Sequence, residues 1–488
     1  MMRSLYSGVS GLKNHQNRMD VVGNNISNVN TTGFKSSRVT FSDTLSQTLS
    51  GASAPQGNLG GTNPKQIGLG SALSSIDTLF TDGSVQSTGV NTDLCLSGSG
   101  LFIVNDGALS YYTRNGNFKF DKDGYYVNSD GLKVQGWMAG KLGEDINTNG
   151  QPGEICIPAG KTMEATATTT AKFTKNLNAA EPMIKSMILT FADGSTEEIT
   201  TGTGTYEVGK KKDGGDPATD AEKISAVTLK MTDGTTTTET SGAYTMGKSK
   251  PITTIMTVYD SVGNAHEVTM YMIKSEIDST DGNKWKVTVN SRLGKNEQTI
   301  KEDDGTTTTV KMTDVDLEFD TNGAYKGGSG SITLTLTNGA TGTQTVNVDL
   351  TGLTQYAGSN TAFASADGNE AGTLKSVSID SAGVITGTYT NGLNVQEAQI
   401  AIAQFNNMAG LTKNGNSLYT VSNNSGTPNI GTINGLGCTV TPSALEMSNV
   451  DMASELTDMI VTQRGYQSNS KIITVSDELL ETLINMKR

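Results

Sequence analysis

Residues 5–35 read LYSGVSGLKNHQNRMDVVGNNISNVNTTGFK, and residues 448–488 read SNVDMASELTDMIVTQRGYQSNSKIITVSDELLETLINMKR. In the first stretch Leu5, Val9, Leu12, Met19, Val22, Ile26 and Val29 recur at spacings of three and four, with a polar gap at Gln16. That spacing predicts an amphipathic helix, stopped by Gly33. In the second, Met452, Leu456, Met459, Tyr466, Ile473, Leu480 and Ile484 form a similar stripe, and Ile472, Val475, Leu479, Leu483 and Met486 form another. Ser448, Asn449, Val450 and Asp451 have the form of a capping-box start, so the helix is expected from about residue 449 to residue 486. Isolated helices are marginal in water, so both ends need partners. Two arrangements supply them: packing on the body of the same chain, or a coiled coil between the two ends that is extended by contacts between chains.

Between the ends the pattern changes. Residues 36–70 have little periodicity and many breakers, and are expected to be an extended linker. From about residue 71 the pattern is β. The apolar run at 101–104 is followed by turn signals at Asn115-Gly116, Asp121 to Gly124 and Asn128 to Gly131. A similar pattern returns at Val377, Ile379 and the turn at Asp380 to Gly383. One β-domain is therefore expected to be shared by distant segments, 71–147 and 373–442. The segments 148–183 and 250–372 are expected to form an outer β-domain. The alternation of Val268, Met270 and Met272, and of Val346, Val348 and Leu350, favours antiparallel sandwiches or barrels. Within the middle, ILTFADGST at 188–196 recurs as TLKMTDGTT at 228–236, and each copy reads as a hairpin turning at Asp-Gly. This makes 184–249 a candidate inserted subdomain. The expected fold class is a multidomain chain: terminal core helices in 1–35 and 443–488, paired as a coiled coil, with mainly-β outer domains built from discontinuous segments.

Composition narrows the function. The chain has 488 residues, with Lys+Arg 36 against Asp+Glu 49, a net charge of -13. Such a chain has no means of neutralising phosphates, which argues against a nucleic-acid partner. No stretch approaches the ~18 apolar residues of a membrane span. The N-terminal run lacks the apolar core of a cleaved secretory signal. Cys95, Cys156 and Cys438 are too few for a disulfide framework, although one pair, such as Cys95 with Cys438, stays open.

Chemical motifs are scarce. Residues 242–249 match the phosphate-loop pattern, but Pro251 and a β-type segment follow where a helix is required. Residues 145–150 match the first half of a calcium loop, yet Cys156 stands where its bidentate Glu belongs. His266 lies beside Glu267 on a strand with no second His nearby, and His15 lies on the helix surface pattern. No catalytic, cofactor-binding or metal-ligating residue is expected, and no cofactor.

The run Gly23-Asn24-Asn25-Ile26-Ser27-Asn28, followed by Thr32-Gly33-Phe34-Lys35, closely resembles the N-terminal signature of the bacterial flagellar rod and hook axial family. Residues 448–488 resemble that family's C-terminal signature. NPKQIGLG at 63–70, YTRNGNFKFDKDGYYVNSDGLKVQGW at 112–137 and TVYDSVGNAHEVTMYMI at 257–273 resemble its hook branch, whereas the repeat at 184–249 has no counterpart there. The resemblance implies a structural protein, not an enzyme, that is exported through the flagellar type III apparatus without a cleaved signal. It implies polymerisation outside the cell into a flexible tube, a universal joint between rod and filament in flagellum-dependent motility. Implied partners are further copies of the chain, rod, hook–filament junction and hook cap proteins, and the export apparatus, with no nucleic acid and no membrane insertion. The apolar helix positions above, with Leu479 and Leu483, become assembly residues. Asn24, Asn25, Asn28, Gly33 and Phe34 carry the family motif. A distal rod or hook-like paralogue, or a secreted β-rich adhesin, is the alternative.

Overall fold

A computed structural model of the chain describes residues 2–55, 60–140, 145–217, 219–278, 282–302, 305–340 and 342–486. The described residues hold two α-helices, α1 (Met2–Ser27) and α2 (Met452–Met486), and otherwise strands with three short 3-10 turns. The chain divides into two compact units. One comprises Met1–Lys161 and Leu374–Arg488, the other Thr162–Thr373.

In the first unit α1 ends earlier than its apolar spacing predicts. Ser27 Oγ and Asn28 Nδ2 each donate to the Asn24 carbonyl at 2.9 Å, so side chains take over the last turn's acceptor. Val29 consequently lies in the following turn, and Gly33 does not stop the helix. Gly33 has φ +67, and a Cβ there would lie 2.5 Å from the Asn115 nitrogen; its role is close passage. α2 starts at Met452 rather than 449. Asp451 caps that start, its Oδ1 accepting the Ala453 N–H at 3.0 Å. The Asn449 amide is held elsewhere, donating to the Leu79 carbonyl at 2.9 Å.

The expected linker 36–70 instead supplies three of the four strand segments of a two-stranded arm. Ser37–Asp43 pairs antiparallel with Ser71–Thr78, and Ser46–Ser50 pairs with Lys65–Gly68. The Thr44 N–H bonds the Gly70 carbonyl at 3.0 Å between these ladders, and a bridge joins Ser53 to Thr62 beyond them. The sequence hides this arm because its strands are rich in Ser, Thr and Gly. Its large apolar residues Phe41, Leu45, Leu49, Ile67, Leu69, Leu73 and Ile76 are all exposed, so no core imprints a pattern on the segment.

The same unit contains a sheet in which Val384–Tyr389, Asn394–Gln404, Lys133–Met138, Gly100–Asn105, Ser110–Thr113 and Leu418–Thr420 lie in that order. Early and late segments pair directly: Trp137 faces Gln399 and Phe102 faces Ile402. Its turns follow one rule. Asp121, Asn128 and Asp380 each accept two later backbone N–H groups on Oδ1, and Gly124, Gly131 and Gly383 supply the positive φ. Residues 148–161 depart from their expected place in the outer domain. Glu154 pairs with Gln135, and Ile155 and Ile157 are buried in this unit's core.

The second unit is a sandwich bearing the repeat. A six-stranded sheet orders Glu297–Lys301, Thr307–Met312, Gly330–Thr335, Thr343–Tyr356, Thr170–Asn178 and Phe363–Ala366. A five-stranded sheet orders Ile252–Tyr259, Ala265–Asp278, Gly282–Thr288, Val315–Phe319 and Tyr325–Gly327. Both contribute to one core around Trp285, Phe173, Phe319 and Ile332. One pairing is parallel, Thr170–Asn178 with Thr343–Tyr356, against the antiparallel expectation. Alternation reports burial but not strand direction. The repeat folds as two hairpins placed back to back, Ile184–Phe191 with Thr196–Ile199 and Ile224–Met231 with Thr236–Glu239. Its equivalent positions Ile188 and Thr228 are direct partners across the centre, which gives the subdomain a pseudo-two-fold and its own apolar core.

Candidate assembly site

The two ends of the chain meet in the first unit around one carboxylate. Glu446, just before α2, accepts from Lys35 Nζ at 2.5 Å, from Arg114 Nη1 at 3.2 Å and from the Gly83 N–H at 2.8 Å. Lys35 also donates to the Thr81 carbonyl at 2.6 Å, and Arg114 to the Leu96 carbonyl at 2.8 Å and to the Gly98 carbonyl. The side chains of Lys35, Arg114 and Glu446 have 0%, 0% and 1% exposure. Burial pushes the Lys35 ammonium below its ordinary range, and the charge and hydrogen bond of Glu446 oppose that shift. Asp82, which is itself half-exposed, gives Arg114 a second carboxylate at 3.3 Å, and the carbonyls supply the remaining acceptors that keep two buried cations from being costly. The cluster thus ties together four passages of chain: the exit from α1, the return of the arm, the β-sheet and the entry to α2.

Two asparagines extend this junction. Asn25, buried in α1, exchanges hydrogen bonds with the Ser37 backbone at 2.9 and 3.0 Å and donates to Glu455 of α2 at 3.0 Å. Asn449 accepts the Ser36 N–H at 2.8 Å while its amide reaches Leu79 and Thr81. Burial raises the Glu455 carboxyl, and the Asn25 hydrogen bond opposes it. Of the other motif residues, Gly33 donates its N–H to the Glu446 carbonyl at 2.8 Å, whereas Asn24, Asn28 and Phe34 line an open cleft.

The helices then run antiparallel. Arg18 pairs with Asp458 at 3.0 Å, His15 lies against Gly465, Gly11 against Asn469, and Gly8 against Asn469 and Ile473. A Cβ at Gly465 would lie 2.6 Å from the His15 ring, and one at Gly11 2.6 Å from Asn469 Nδ2. Buried positions of α2 are Thr462 and Ser476, whose hydroxyls bond their own helix at Asp458 and Ile472. Small and polar residues therefore make much of the seam, with Ile472 and Ile473 packed against Gly8.

The predicted apolar positions are distributed differently. Val22 is buried, and Leu5, Leu12, Met19, Ile26, Met459, Ile473 and Leu480 are half-buried. Val9, Met452, Leu456, Tyr466, Leu479 and Leu483 are exposed, the last two at 51% and 49%. Ile460, Val461, Ile472, Val475, Ile484 and Met486 are exposed as well. The stripe of α1 is thus largely covered apart from Val9, whereas the stripes of α2 are mostly exposed. Apolar periodicity identifies a face that wants burial but not the surface that buries it. Lys35, Arg114, Glu446 and Asn449 escaped the sequence reading as site residues. A lone cation or carboxylate next to a motif carries no signal until the fold brings its partners from hundreds of positions away.

The chemical motifs resolve into structure. In the phosphate-loop match, Ala243–Thr245 is a strand paired with Thr205–Glu207, the next element is the strand Ile252–Tyr259, and Lys248 Nζ donates to the Ser275 carbonyl at 2.5 Å. In the 145–150 stretch, Asn147 accepts the Asn149 N–H at 3.1 Å, and Trp137 donates to the Gly150 carbonyl at 2.7 Å. His266 does have partners that the sequence separated. Asp260 lies 3.2 Å from Nε2 and Glu302 2.7 Å from Nδ1. Burial works against ionisation of Asp260, but hydrogen bonds from Asn338, the Asn264 and Val262 N–H groups and His266 outweigh it and hold its carboxyl well below the usual range. Cys95, Cys156 and Cys438 are all free thiols, so Cys95 and Cys438 are unpaired, and burial pushes Cys95 up to about 11.

Four family models match the chain. "Flagella basal body rod protein" covers 5–35, "Flagellar hook protein FlgE/F/G D1 domain" 95–173, "Flagellar basal body protein FlaE D2 domain" 247–369, and "Flagellar basal body rod FlgEFG protein C-terminal" 441–486. The chain is 37% identical over 525 residues to flagellar hook protein FlgE of Treponema pallidum, and 38% identical over 510 residues to that of Borreliella burgdorferi; each alignment covers 100% of both chains. It is 52% identical over 142 residues to flagellar basal-body rod protein FlgG of Bacillus subtilis, covering 29% of this chain and 54% of that one.

Proposed function

The chain belongs to the flagellar hook protein family, and we propose that it is the repeating subunit of the bacterial flagellar hook, polymerising into the flexible tube that joins rod to filament. The observation that carries this reading is the outward-facing apolar surface of α2, where Leu456, Ile460, Val461, Leu479 and Leu483 stand exposed beside a seam rich in Gly, Asn, Ser and Thr. A Leu taken from water contributes about 1.5–3 kcal/mol, and only neighbouring molecules can collect that from these positions. Heterologous contacts that do not close give an open helical polymer.

The finer roles follow from this reading. α1 and α2 pair as an antiparallel coiled coil, supported by the spacing of Glu455, Asp458, Thr462, Gly465, Asn469, Ile473 and Ser476 along the seam. The helical positions from Leu5 to Val29 and from Met452 to Leu483 serve assembly, and the arm at 36–78 adds its own uncovered apolar residues. The β-domains project outward, with the 184–249 repeat as an insert in the outer one. Its polar Thr-rich surface lets contacts slide as the tube bends. The subunit passes through the flagellar export apparatus and meets rod, junction and cap proteins at the flagellum's exterior. The full-length hook relatives favour this over a rod subunit, whose similarity covers a minority of the chain.

Electron microscopy of the polymerised full chain tests the reading. Wild type should form tubes, whereas Leu479→Asp with Leu483→Asp should leave a folded monomer that forms none. Tubes at the wild-type protein concentration in the double variant would overturn it.

A further inference from the structure

The motif residues that the chain's own junction leaves unused converge on a cleft of about 340 Å³ in the first unit. Asn24, Asn28 and Phe34 line one wall, and Lys413, Asn416 and Ser417 the other. The second wall is a hairpin tip held in an uncommon backbone form, with Asn416 at φ +49 and Ser417 at φ +58. Positive φ at two successive residues other than glycine is costly, and the fold maintains it where it shapes this cleft. The tip is fixed in place by Thr113, which donates to the Ser417 carbonyl at 2.9 Å, and by the Asn416 amide on Asp130 at 3.1 Å.

Lys413 is the charge in this cleft. Its Nζ donates to the Lys35 carbonyl at 3.0 Å and to Ser37 Oγ at 3.3 Å, and stands 4.8 Å from the Phe34 ring centre. Among the described residues no carboxylate lies within salt-bridge distance of it, a state it shares with Lys13, Lys65, Lys119, Lys122 and Lys471 of the same unit, whereas Arg18, Lys35, Arg38, Arg114, Lys133 and Lys161 each have one. The residue as a whole is exposed, and local desolvation beside these oxygens pushes its ammonium below the ordinary range. An ammonium has three donors, and two here go to neutral oxygens. Asn24 gives its side-chain oxygen to Asn28 at 2.7 Å, which leaves an amide donor on the facing wall. A cation and an amide donor on facing walls suit a carboxylate.

We propose that this cleft receives an Asp or Glu side chain from a second copy of the chain, with Lys413 as its ion-pair partner. The proposal rests on the polymer reading above. Charge complementarity selects the occupant: at a net charge of -13, stacked copies repel unless cations are placed against carboxylates at their contacts. A pair formed in a partly desolvated cleft between copies adds specificity to the contact as well as attraction.

The test uses the full chain, mixing unlabelled and isotope-labelled subunits, polymerising them and treating the tubes with a zero-length carbodiimide crosslinker. Lys413 should appear joined to a carboxylate peptide of the other label. Lys413→Met should raise the critical concentration for polymerisation roughly tenfold and flatten its dependence on salt, with Lys413→Arg close to wild type. Circular dichroism should show all three folded alike. Lys413 uncrosslinked in the pure polymer, or joined only within its own chain, overturns the proposal and leaves the polymer reading intact. So does a Lys413→Met chain with wild-type critical concentration and salt dependence. A wild-type chain that forms no polymer overturns both.

Discussion

The helix pair and the sandwich are built in opposite senses. In the sandwich, Trp285, Phe173, Leu317 and Ile332 are fully buried, and only scattered large apolar residues such as Ile255, Val262, Tyr356 and Phe363 stand exposed. In the helix pair, glycine, asparagine, serine and threonine share the inside with Val22 and a few half-buried apolar residues, while much of the leucine, isoleucine and valine of α2 lies outside. A sandwich of this kind is complete as one molecule. A helix pair of the other kind is complete only in company, because its apolar surface has to be covered by something else. The difference matches a subunit whose ends make the polymer and whose β-domains hold their own shape.

The largest expected effect is loss of assembly without loss of fold, and its absence would undo the contrast. Leu479→Asp with Leu483→Asp is expected to abolish sedimenting polymer and to change monomer stability by less than ~0.5 kcal/mol, since both residues are exposed. Denaturant unfolding of the monomer, followed by sedimentation under polymerising conditions, checks both halves. Glu446→Ala comes next. It leaves the buried Lys35 without a carboxylate and Arg114 with Asp82 alone, and should lower the stability of the first unit by about 3–5 kcal/mol while leaving the unfolding of the second unchanged. Hydrogen exchange resolved by peptide would separate the two units. Trp285→Ala is the reciprocal case. It should cost the sandwich ~3–5 kcal/mol and leave exchange in α1 and α2 as it was.

Smaller effects refine the picture. Gly465→Ala should weaken the helix seam by about 1–3 kcal/mol, because its Cβ must displace the His15 ring; faster exchange confined to α1 and α2 is the expected reading. Acid should act on the sandwich through Asp260. Its folded carboxyl ionises at lower pH than in the unfolded chain, so its stabilising contribution is present above the unfolded value of 3.8 and is lost as pH falls through the folded one. Asp260→Asn should flatten that acid limb in a pH series of thermal melts, and an unchanged slope would count against this account.

Much of the fold was legible from local chemistry. The turns at Asp121, Asn128 and Asp380 follow from an Asx side chain with a glycine three residues on. The repeat was visible because its two copies share a strand–Asp-Gly–strand pattern. The arm was not legible, because strands without a buried face leave no alternation to read. The junction was not legible either, since Lys35 and Glu446 are brought together only by the return of the chain.

Helix at both ends, hairpins between them, the terminal apolar stripes and, through its motifs, the family were all written in the linear order of residues. Those properties depend on neighbours a few positions away, where periodicity and turn chemistry act. What the stripes face, the joining of 36–70 to 71–78 in an arm, the place of 148–161 in the first unit and the one carboxylate that joins four passages of chain emerged only with folding. These depend on which distant groups share a desolvated space, and there the cost of an unpaired charge or an uncovered leucine is set by partners that no local pattern specifies.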